Sequence, residues 1–560
     1  MASRQQRMPP LLRLPHEVIL RIALCVIAMD LQPIQSQQFV PDEGVTTSIQ
    51  HEPTTPACCC RGATGSWSHQ VTCCFQDLPP AYLSAIAFFG SSKTIRETLL
   101  AAPAFWANIP VLQPTLLPDS LNWAGTAYPL EIVAPALCLC VLDMIIPRLR
   151  FAGQLCATFP SVHGDSGQPT SQILSRALLK SGAPKLRRIS LKFNPYPHNT
   201  STRLTAVHMP SLHIFRIANG LFVGYGKMLS ELHIAFETFE REAVSWSLQD
   251  LIRILKFCPA LNVLVLLNAF REASHAERRN WRTAPLHLDL PLLSLLLLRA
   301  DFMATQDLFG ILMPPAGCSV LVEVQTGSFP REAPSNGAEL CAQSIANEVA
   351  LSLKLLRPCI MTSRDRSQSA SVASLEYRSG EPHIDRWPDY VRVTYATSIA
   401  GALAANDPQA LAARNSFTLR NSWISHHTLS RADRSRTFGI PHTQVLQSFL
   451  RGSSNSELAY VRVVIIRVEG RYLWPDNAYE ALFASAVSME ELVVLGVVAD
   501  GRPYRNLLTY LNRTGGLKTR LRNVKFPDWK DNENIYFRTG ELWNKRFGVP
   551  GRRAPITWAH

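Results

Sequence analysis

Apolar and polar residues recur in one phase along the middle of the chain. The phase reads Pro, any residue, Leu, two residues, apolar, any residue, apolar. It occurs as Pro184, Leu186, Ile189 and Leu191, and as Pro210, Leu212, Phe215 and Ile217. Two further copies are Pro259, Leu261, Leu264 and Leu266, and Pro291, Leu293, Leu296 and Leu298. A Pro-less copy, Leu229, Leu232 and Ile234, lies between the second and third. Two apolar residues at a spacing of two share one face of a strand, because successive side chains point to opposite faces. The Pro stops the preceding helix and the Leu enters a turn. The pattern predicts a stacked sheet in which the apolar pairs point inward.

The segments between the copies carry helical periodicity. Ser247 is placed to cap a helix, with Asp250 three residues on as a capping box. Leu248, Leu251, Ile252 and Leu255 follow at helical spacing and end before Cys258 and Pro259. Ile173, Leu174, Ala177 and Leu178 do the same ahead of Gly182, a helix stop. The unit is strand, turn, helix, turn. It is similar to a leucine-rich repeat, and the array resembles an irregular leucine-rich-repeat solenoid, a fold that presents a surface to a partner. The first Leu of each copy advances by 26, 17, 32 and 32 residues, against about 20–29 in regular repeats. The short step leaves little room for a helix.

Towards the ends the pattern changes. Pro15 can sit in the first turn of a helix in which Val18, Ile19 and Ile22 line one face. The apolar stretch from Val18 to Met29 is interrupted by Arg21 and reads as an amphipathic helix, not a signal peptide. The run from Pro129 to Pro147 holds Glu131 and Asp143 and reads as a strand followed by a helix, not a membrane span. After Gly327 the repeat fades. Residues 328–338 are rich in Pro, Ser and Gly, 362–374 are rich in Ser and Arg, and 402–445 have no clear period. Repeat spacing returns with the β-rich run Tyr460–Ile466, with Leu492, Leu495 and Val497, and with Leu521, Val524 and Phe526. Leu507, Leu508 and Leu511 suit a helix between the last two.

Composition narrows the class. The chain has 560 residues, 47 % of them hydrophobic, and a net charge of +13. A basic balance can draw nucleic acid or an anionic membrane. Here Arg and Lys are dispersed, and the densest stretches, Arg271–Arg282 and Arg431–Arg436, read as solvated loops. No nucleic-acid-binding motif accompanies them, so neither nucleic acid nor membrane is an expected partner. The 13 Cys include a cluster at Cys58, Cys59, Cys60, Cys73 and Cys74 without the ligand spacing of a zinc site. Free thiols in a reducing compartment, cytoplasmic and/or nuclear, are the expectation. The sequons at Asn199 and Asn512 carry meaning only in a secreted chain.

No catalytic constellation stands out. HExxH and GxSxG are absent. Gly224, Gly226 and Lys227 resemble a phosphate loop, but Leu221 stands where its first Gly belongs and Met228 where its hydroxyl belongs. His426 and His427 read as a solvated pair, and Glu490 and Glu491 as an exposed helix end. The chain is read as no enzyme, with no cofactor, metal or small-molecule substrate.

The N-terminal region carries a second resemblance. It opens Leu14-Pro15-His16-Glu17-Val18 and closes Arg96-Glu97-Thr98-Leu99-Leu100-Ala101-Ala102-Pro103-Ala104-Phe105-Trp106-Ala107-Asn108-Ile109. This resembles the F-box-like module of proteins from mushroom-forming fungi, which carry degenerate leucine-rich repeats after it. Where that family often has Cys and Trp before the closing motif, this chain has Ser92 and Ile95, while Arg96 is retained. Residues 31–80, rich in Gln, Thr, Pro and Cys in turn, separate the two halves and read as a disordered insert. The resemblance implies a three-helix F-box docking on the Skp1 adaptor of a cullin-type ubiquitin ligase, with the repeats holding a protein substrate. Carried over by position, Leu14, Pro15, Val18 and Ile22 belong to the first docking segment, and Pro103 and Trp106 to the closing motif.

The expected α/β fold is therefore a short helical F-box-like module over 11–116, followed by an irregular solenoid over 117–327. A loop-rich region over 328–455, closing repeats over 456–530 and a cap or tail over 531–560 complete it, a separate small domain being the alternative for the closing part. The expected function is a non-catalytic substrate-recognition adaptor. The alternative is a repeat-based protein-binding module with no ubiquitin-ligase link.

Overall fold

The computed structural model describes residues 14–37, 84–108, 117–134, 137, 139–159, 169–193, 204–236, 246–271, 273–283, 287–315, 318–326, 372–378, 390–396, 414–421, 459, 461–469, 476–495 and 523–525. The fold is mixed α/β with parallel strands. Its residues divide into two compact units at Ala269/Phe270.

The first unit opens with helices α1 (His16–Gln37), α2 (Ser84–Gly90), α3 (Lys93–Leu100), α4 (Pro103–Ala107) and α5 (Leu117–Ala124). Helix α1 packs on α2, α3 and α4. It buries Ile19, Ala23 and Ile27, spaced by one helical turn. The helix runs through residues 31–37, so the start of the expected insert is helical. Residues 38–83, with the Cys cluster, lie outside the described residues. Ser92 caps α3, accepting a hydrogen bond from the Ile95 amide at 3.1 Å. Pro103 then separates α3 from α4, because the residue before a Pro avoids helical backbone; Ala102 is extended, with φ −108° and ψ 92°.

The repeats follow. Strands β1 (Leu130–Ala134), β2 (Ala152–Phe159) and β3 (Arg188–Phe193) are joined through α6 (Leu139–Ile145), the 3-10 helix Ile146–Phe151 and α7 (Thr170–Ser181). Gly182 ends α7 in the left-handed region at φ 67°. Then come β4 (Thr205–His208), β5 (Ile214–Ala218), β6 (Phe222–Tyr225), β7 (Glu231–Ala235), β8 (Trp246–Ser247), α8 (Leu248–Leu255) and β9 (Val263–Leu267). Strands β1, β2, β3, β5, β7 and β9 lie side by side, all parallel. Register aligns Leu155, Ile189, Phe215, Leu232 and Leu264 in one row and Ala157, Leu191, Ile217, Ile234 and Leu266 in the next. Every one of these side chains is buried.

The turn before each strand has a fixed form. The amides of Leu186, Leu212, Leu229 and Leu261 each donate to the carbonyl three residues earlier, at 3.1–3.2 Å. The Pro therefore occupies the second position of a β-turn, where its fixed φ is already correct. The next residue locks repeat to repeat: Asn262 donates to Ser230, Ser230 to His213, His213 to Arg187 and Arg187 to Gly153, at 2.8–2.9 Å. At the strand ends Asn219 and Asn268 adopt φ 55° and 53°. Their buried side-chain amides donate to the carbonyls of Phe193 and Phe236, both at 3.0 Å.

The 17-residue step has no helix. The short strand β6 replaces it and pairs in parallel with β4. The glycines of the phosphate-loop-like stretch exist for this packing. A Cβ on Gly224 would stand 2.8 Å from the Leu212 and Phe215 side chains, and one on Gly226 would stand 2.4 Å from the Met209 carbonyl oxygen.

The second unit contains β10 (Phe270–Arg271), α9 (His275–Thr283), β11 (Leu295–Asp301), α10 (Phe302–Phe309), β12 (Ser319–Thr326), β13 (Val372–Arg378), β14 (Tyr390–Ala396), β15 (Arg414–Asn421), β16 (Val463–Glu469), α11 (Asp476–Ser485), β17 (Glu491–Leu495) and β18 (Asn523–Lys525). The strand order β11-β12-β15-β14-β13-β16-β17-β18 reverses the chain through its middle. Strands β13, β14 and β15 form an antiparallel meander within the region expected to be loop-rich. Their alternating β-branched and aromatic residues suit a pleated surface. The Arg271–Arg282 stretch, expected as a loop, contains α9. Arg278 there clamps the Asp307 carboxylate, its Nε 3.0 Å from one oxygen and its outer nitrogen 2.9 Å from the other.

The closing repeats are framed differently from the sequence reading. Met489 occupies the turn, its amide donating to Ala486 at 3.1 Å. Leu492 and Val494 are then the inward strand residues, paired with Val464 and Ile466. The expected frame starts three residues later, at Leu492; Leu495 falls on the other face of β17, in a buried cluster with Ile465 and Val493, and Val497 lies outside the described residues. Glu490 leads into β17 and Glu491 begins it, instead of the pair ending a helix, their amides donating to the Arg462 carbonyl at 2.7 and 3.0 Å. Leu521, Phe526, the helix expected at Leu507–Leu511, the tail over 531–560, the His426–His427 pair, Arg431–Arg436 and both sequons lie outside the described residues.

Candidate interaction sites

Two surfaces of the first unit carry the residues of interest. On the helical module, the opening motif sits at the start of α1. The amides of Val18 and Ile19 close the first turn onto the Pro15 carbonyl, at 2.9 and 3.1 Å. Pro15 and Val18 are exposed, and Leu14 and Ile22 are half-buried. The buried face of α1 is the neighbouring one, through Ile19, Ala23 and Ile27. Four apolar motif residues thus stay at the surface while the helix is anchored by others.

The closing motif divides. Pro103 is exposed at the first turn of α4. Trp106 is only 2 % exposed. Its ring packs against Phe89, Phe105 and Trp123, with centroids at 5.5, 5.1 and 4.5 Å. It therefore holds the module together and offers no side-chain surface to a partner. Ile95, standing where the resembled family has Trp, is buried in the same module.

The second surface is the sheet face formed by the alternate strand residues. Register brings Cys156, Ser190, Arg216 and His233 into one row. The Arg216 guanidinium reaches the Glu231 carboxylate, with Nε at 2.6 Å. The His233 ring lies 2.8 Å from the same oxygen. Burial pushes the Glu231 carboxyl up, but His233 and Arg216 together outweigh it and hold the group at about 2. Burial also disfavours the His233 imidazolium and lowers its pKa despite Glu231. At neutral pH the cluster is thus a carboxylate paired with a guanidinium beside a neutral imidazole. Cys156 is pushed up to about 12, chiefly by burial, so its thiol stays protonated.

This row does not make a nucleophile and base. Parallel strands stand about 4.8 Å apart, which puts Cys156 about 14 Å and Ser190 about 10 Å from His233. A working pair needs hydrogen-bond reach. Nothing in the linear sequence marked this cluster. Its one signal was the polar residue between two apolar ones in each strand, and only stacking made those residues neighbours.

Among the described residues no group of three or more His, Cys, Asp or Glu could hold a metal ion. No described helix is long and apolar enough to cross a membrane. No protein-family model matches the chain, and no curated protein matches it.

Proposed function

We propose that this chain is a non-catalytic binding protein: an adaptor that docks on Skp1 through its N-terminal helices and holds a protein substrate on a leucine-rich-repeat-like stack. The observation that carries the reading is the division of labour in α1. Leu14, Pro15, Val18 and Ile22 remain at least partly exposed, while Ile19, Ala23 and Ile27 anchor the helix. Apolar residues left at a surface beside a packed face are what a docking helix requires. The recurring β-turn and the two aligned apolar rows support the repeat half of the reading.

The test is a pull-down with Skp1. Changing Leu14 and Pro15 to Ala removes little buried surface, so the fold should survive by circular dichroism while Skp1 is lost. Deleting residues 38–83 should leave capture unchanged or stronger. If neither the full chain nor the deletion captures Skp1, the adaptor reading fails and the chain is a repeat-based binding module without a ubiquitin-ligase link.

A further inference from the structure

We infer that the first unit carries a separate docking patch for an acidic, apolar segment of a partner protein, built where the helical module meets the first repeats. Three cations converge there, and among the described residues none has a carboxylate partner. The Arg148 guanidinium donates to the side-chain carbonyl of Asn122 at 3.1 Å. Lys185 donates to the backbone carbonyl of Thr126 at 3.3 Å. Arg150 lies over the Phe151 ring at 4.5 Å, and Lys185 stands 6.0 Å from the same ring centroid. Among the described residues the partners of these cations are neutral, so no ion pair there takes up their charge. Two of them, Arg150 and Lys185, are exposed.

The residues that hold Arg148 and Lys185 neighbour exposed aromatic residues along the chain. Asn122 and Thr126 flank Trp123, which is 38 % exposed, and Tyr128 nearby is 47 % exposed. Trp123 lies at the end of α5 beside Asn122, to which Arg148 is tied, and Tyr128 lies between α5 and β1, two residues after Thr126, to which Lys185 is tied. Trp, Tyr and Arg are the residue types in which protein-interface energy concentrates. The fold keeps the cations in place for its own reasons. Arg148 and Arg150 close a 3-10 helix whose carbonyl end favours positive charge. Lys185 occupies the third position of the turn that starts β3. Charge complementarity then selects carboxylates, and the aromatic surface selects an apolar side chain between them. The occupant fitted by both is an acidic segment with aliphatic or aromatic anchors. This inference rests on the binding-protein reading above only in making the occupant a protein.

The experiment uses the full chain and a fluorescent peptide alternating Glu and Leu, read by polarisation. A peptide alternating Lys and Leu and an oligo-dT strand serve as competitors in kind. The Glu/Leu peptide should bind, weaken as salt rises, and lose about tenfold or more in affinity, about 1.4 kcal/mol, when Arg150→Glu and Lys185→Glu are combined. The neutral pair Arg150→Gln and Lys185→Gln should lose affinity in the same direction, which keeps the test valid if charge reversal perturbs the fold. Lys227→Glu with Lys256→Glu, two exposed cations elsewhere on this unit, should leave binding unchanged. No binding of the Glu/Leu peptide overturns the inference. So does equal loss in the Lys227/Lys256 control, which would mean bulk charge alone. Tighter binding of oligo-dT, lost by the same reversal, overturns it in favour of nucleic acid. None of these variants touches Leu14 or Pro15, so Skp1 capture fails or succeeds independently.

Discussion

The strand stack ending at β9 and the meander β13–β15 use the same backbone chemistry and opposite chain logic. In the first, each main-sheet strand pairs with the next main-sheet strand along the chain, parallel throughout. In the second, β15 joins β12, β13 joins β16, and β14 runs antiparallel between them. A parallel pair needs a crossover, and here each crossover after the first ends in a turn with a buried Leu. That turn leaves a spacing visible in the sequence. An antiparallel pair needs only two alternating runs, and alternation alone does not say which run is the neighbour. The difference teaches that repeat spacing encodes order, whereas strand propensity encodes only existence.

The sharpest break of this comparison is in the aligned apolar rows. Leu264→Ala should cost about 2–5 kcal/mol by removing a fully buried side chain from a well-packed row. Leu492→Ala, at the corresponding position in β17, should cost a similar amount, since Leu492 is equally buried. Thermal or denaturant unfolding reads both. A small effect at Leu492 would show that the closing repeats pack less tightly than the first ones.

A smaller effect is expected from the charged cluster of Arg216, Glu231 and His233 in the first stack. Glu231→Gln should cost about 1.5–3 kcal/mol by removing the charged acceptor of Arg216. The Glu231 carboxyl is held at about 2 against an ordinary value of 4.5. Its contribution is therefore complete above 4.5 and is lost as pH falls towards 2. His233 lies below its ordinary 6.5, so the folded state is also weakened as pH falls below that value. In Glu231→Gln the acid loss between 4.5 and 2 should flatten. A stability profile against pH that is unchanged by the substitution would remove Glu231 from the account.

The smallest effect tests the turn itself. Lys227 holds the second turn position in the Pro-less copy, between Gly226 and Leu229. Lys227→Pro should raise stability by about 0.4–1 kcal/mol, because Pro restricts the unfolded chain and Lys227 holds the turn position that Pro occupies in the other copies. Loss of stability would mean that the short repeat differs in backbone from the others.

Much of the first unit is legible in the sequence. The N-cap expected at Ser247 is formed, with Ser247 accepting from the Asp250 amide at 3.1 Å, while the Asp250 carboxylate takes the Ser247 hydroxyl at 2.7 Å. The strand-then-helix reading after Pro129 matches β1 and α6. The frame at Leu492 slipped because Met489 fills a position that the pattern reserved for Leu, and Met is an equally serviceable core residue. The α9 helix was hidden by its charges. Its Arg278 is held by Asp307, a partner 29 residues away that no local window contains.

The sequence by itself determined what is local: where strands start, which residues turn, which cap, and which alternate side chains are apolar. These depend on backbone sterics and on hydrogen bonds within a few residues. Tertiary structure alone decided which strand lies beside which, and so brought Arg216, Glu231 and His233 together and placed Lys185 over Phe151. It also decided that Trp106 is core while Leu14, Pro15 and Val18 stay at the surface. Those outcomes depend on neighbours distant along the chain, and a one-residue change of register would have exchanged every inward side chain for an outward one.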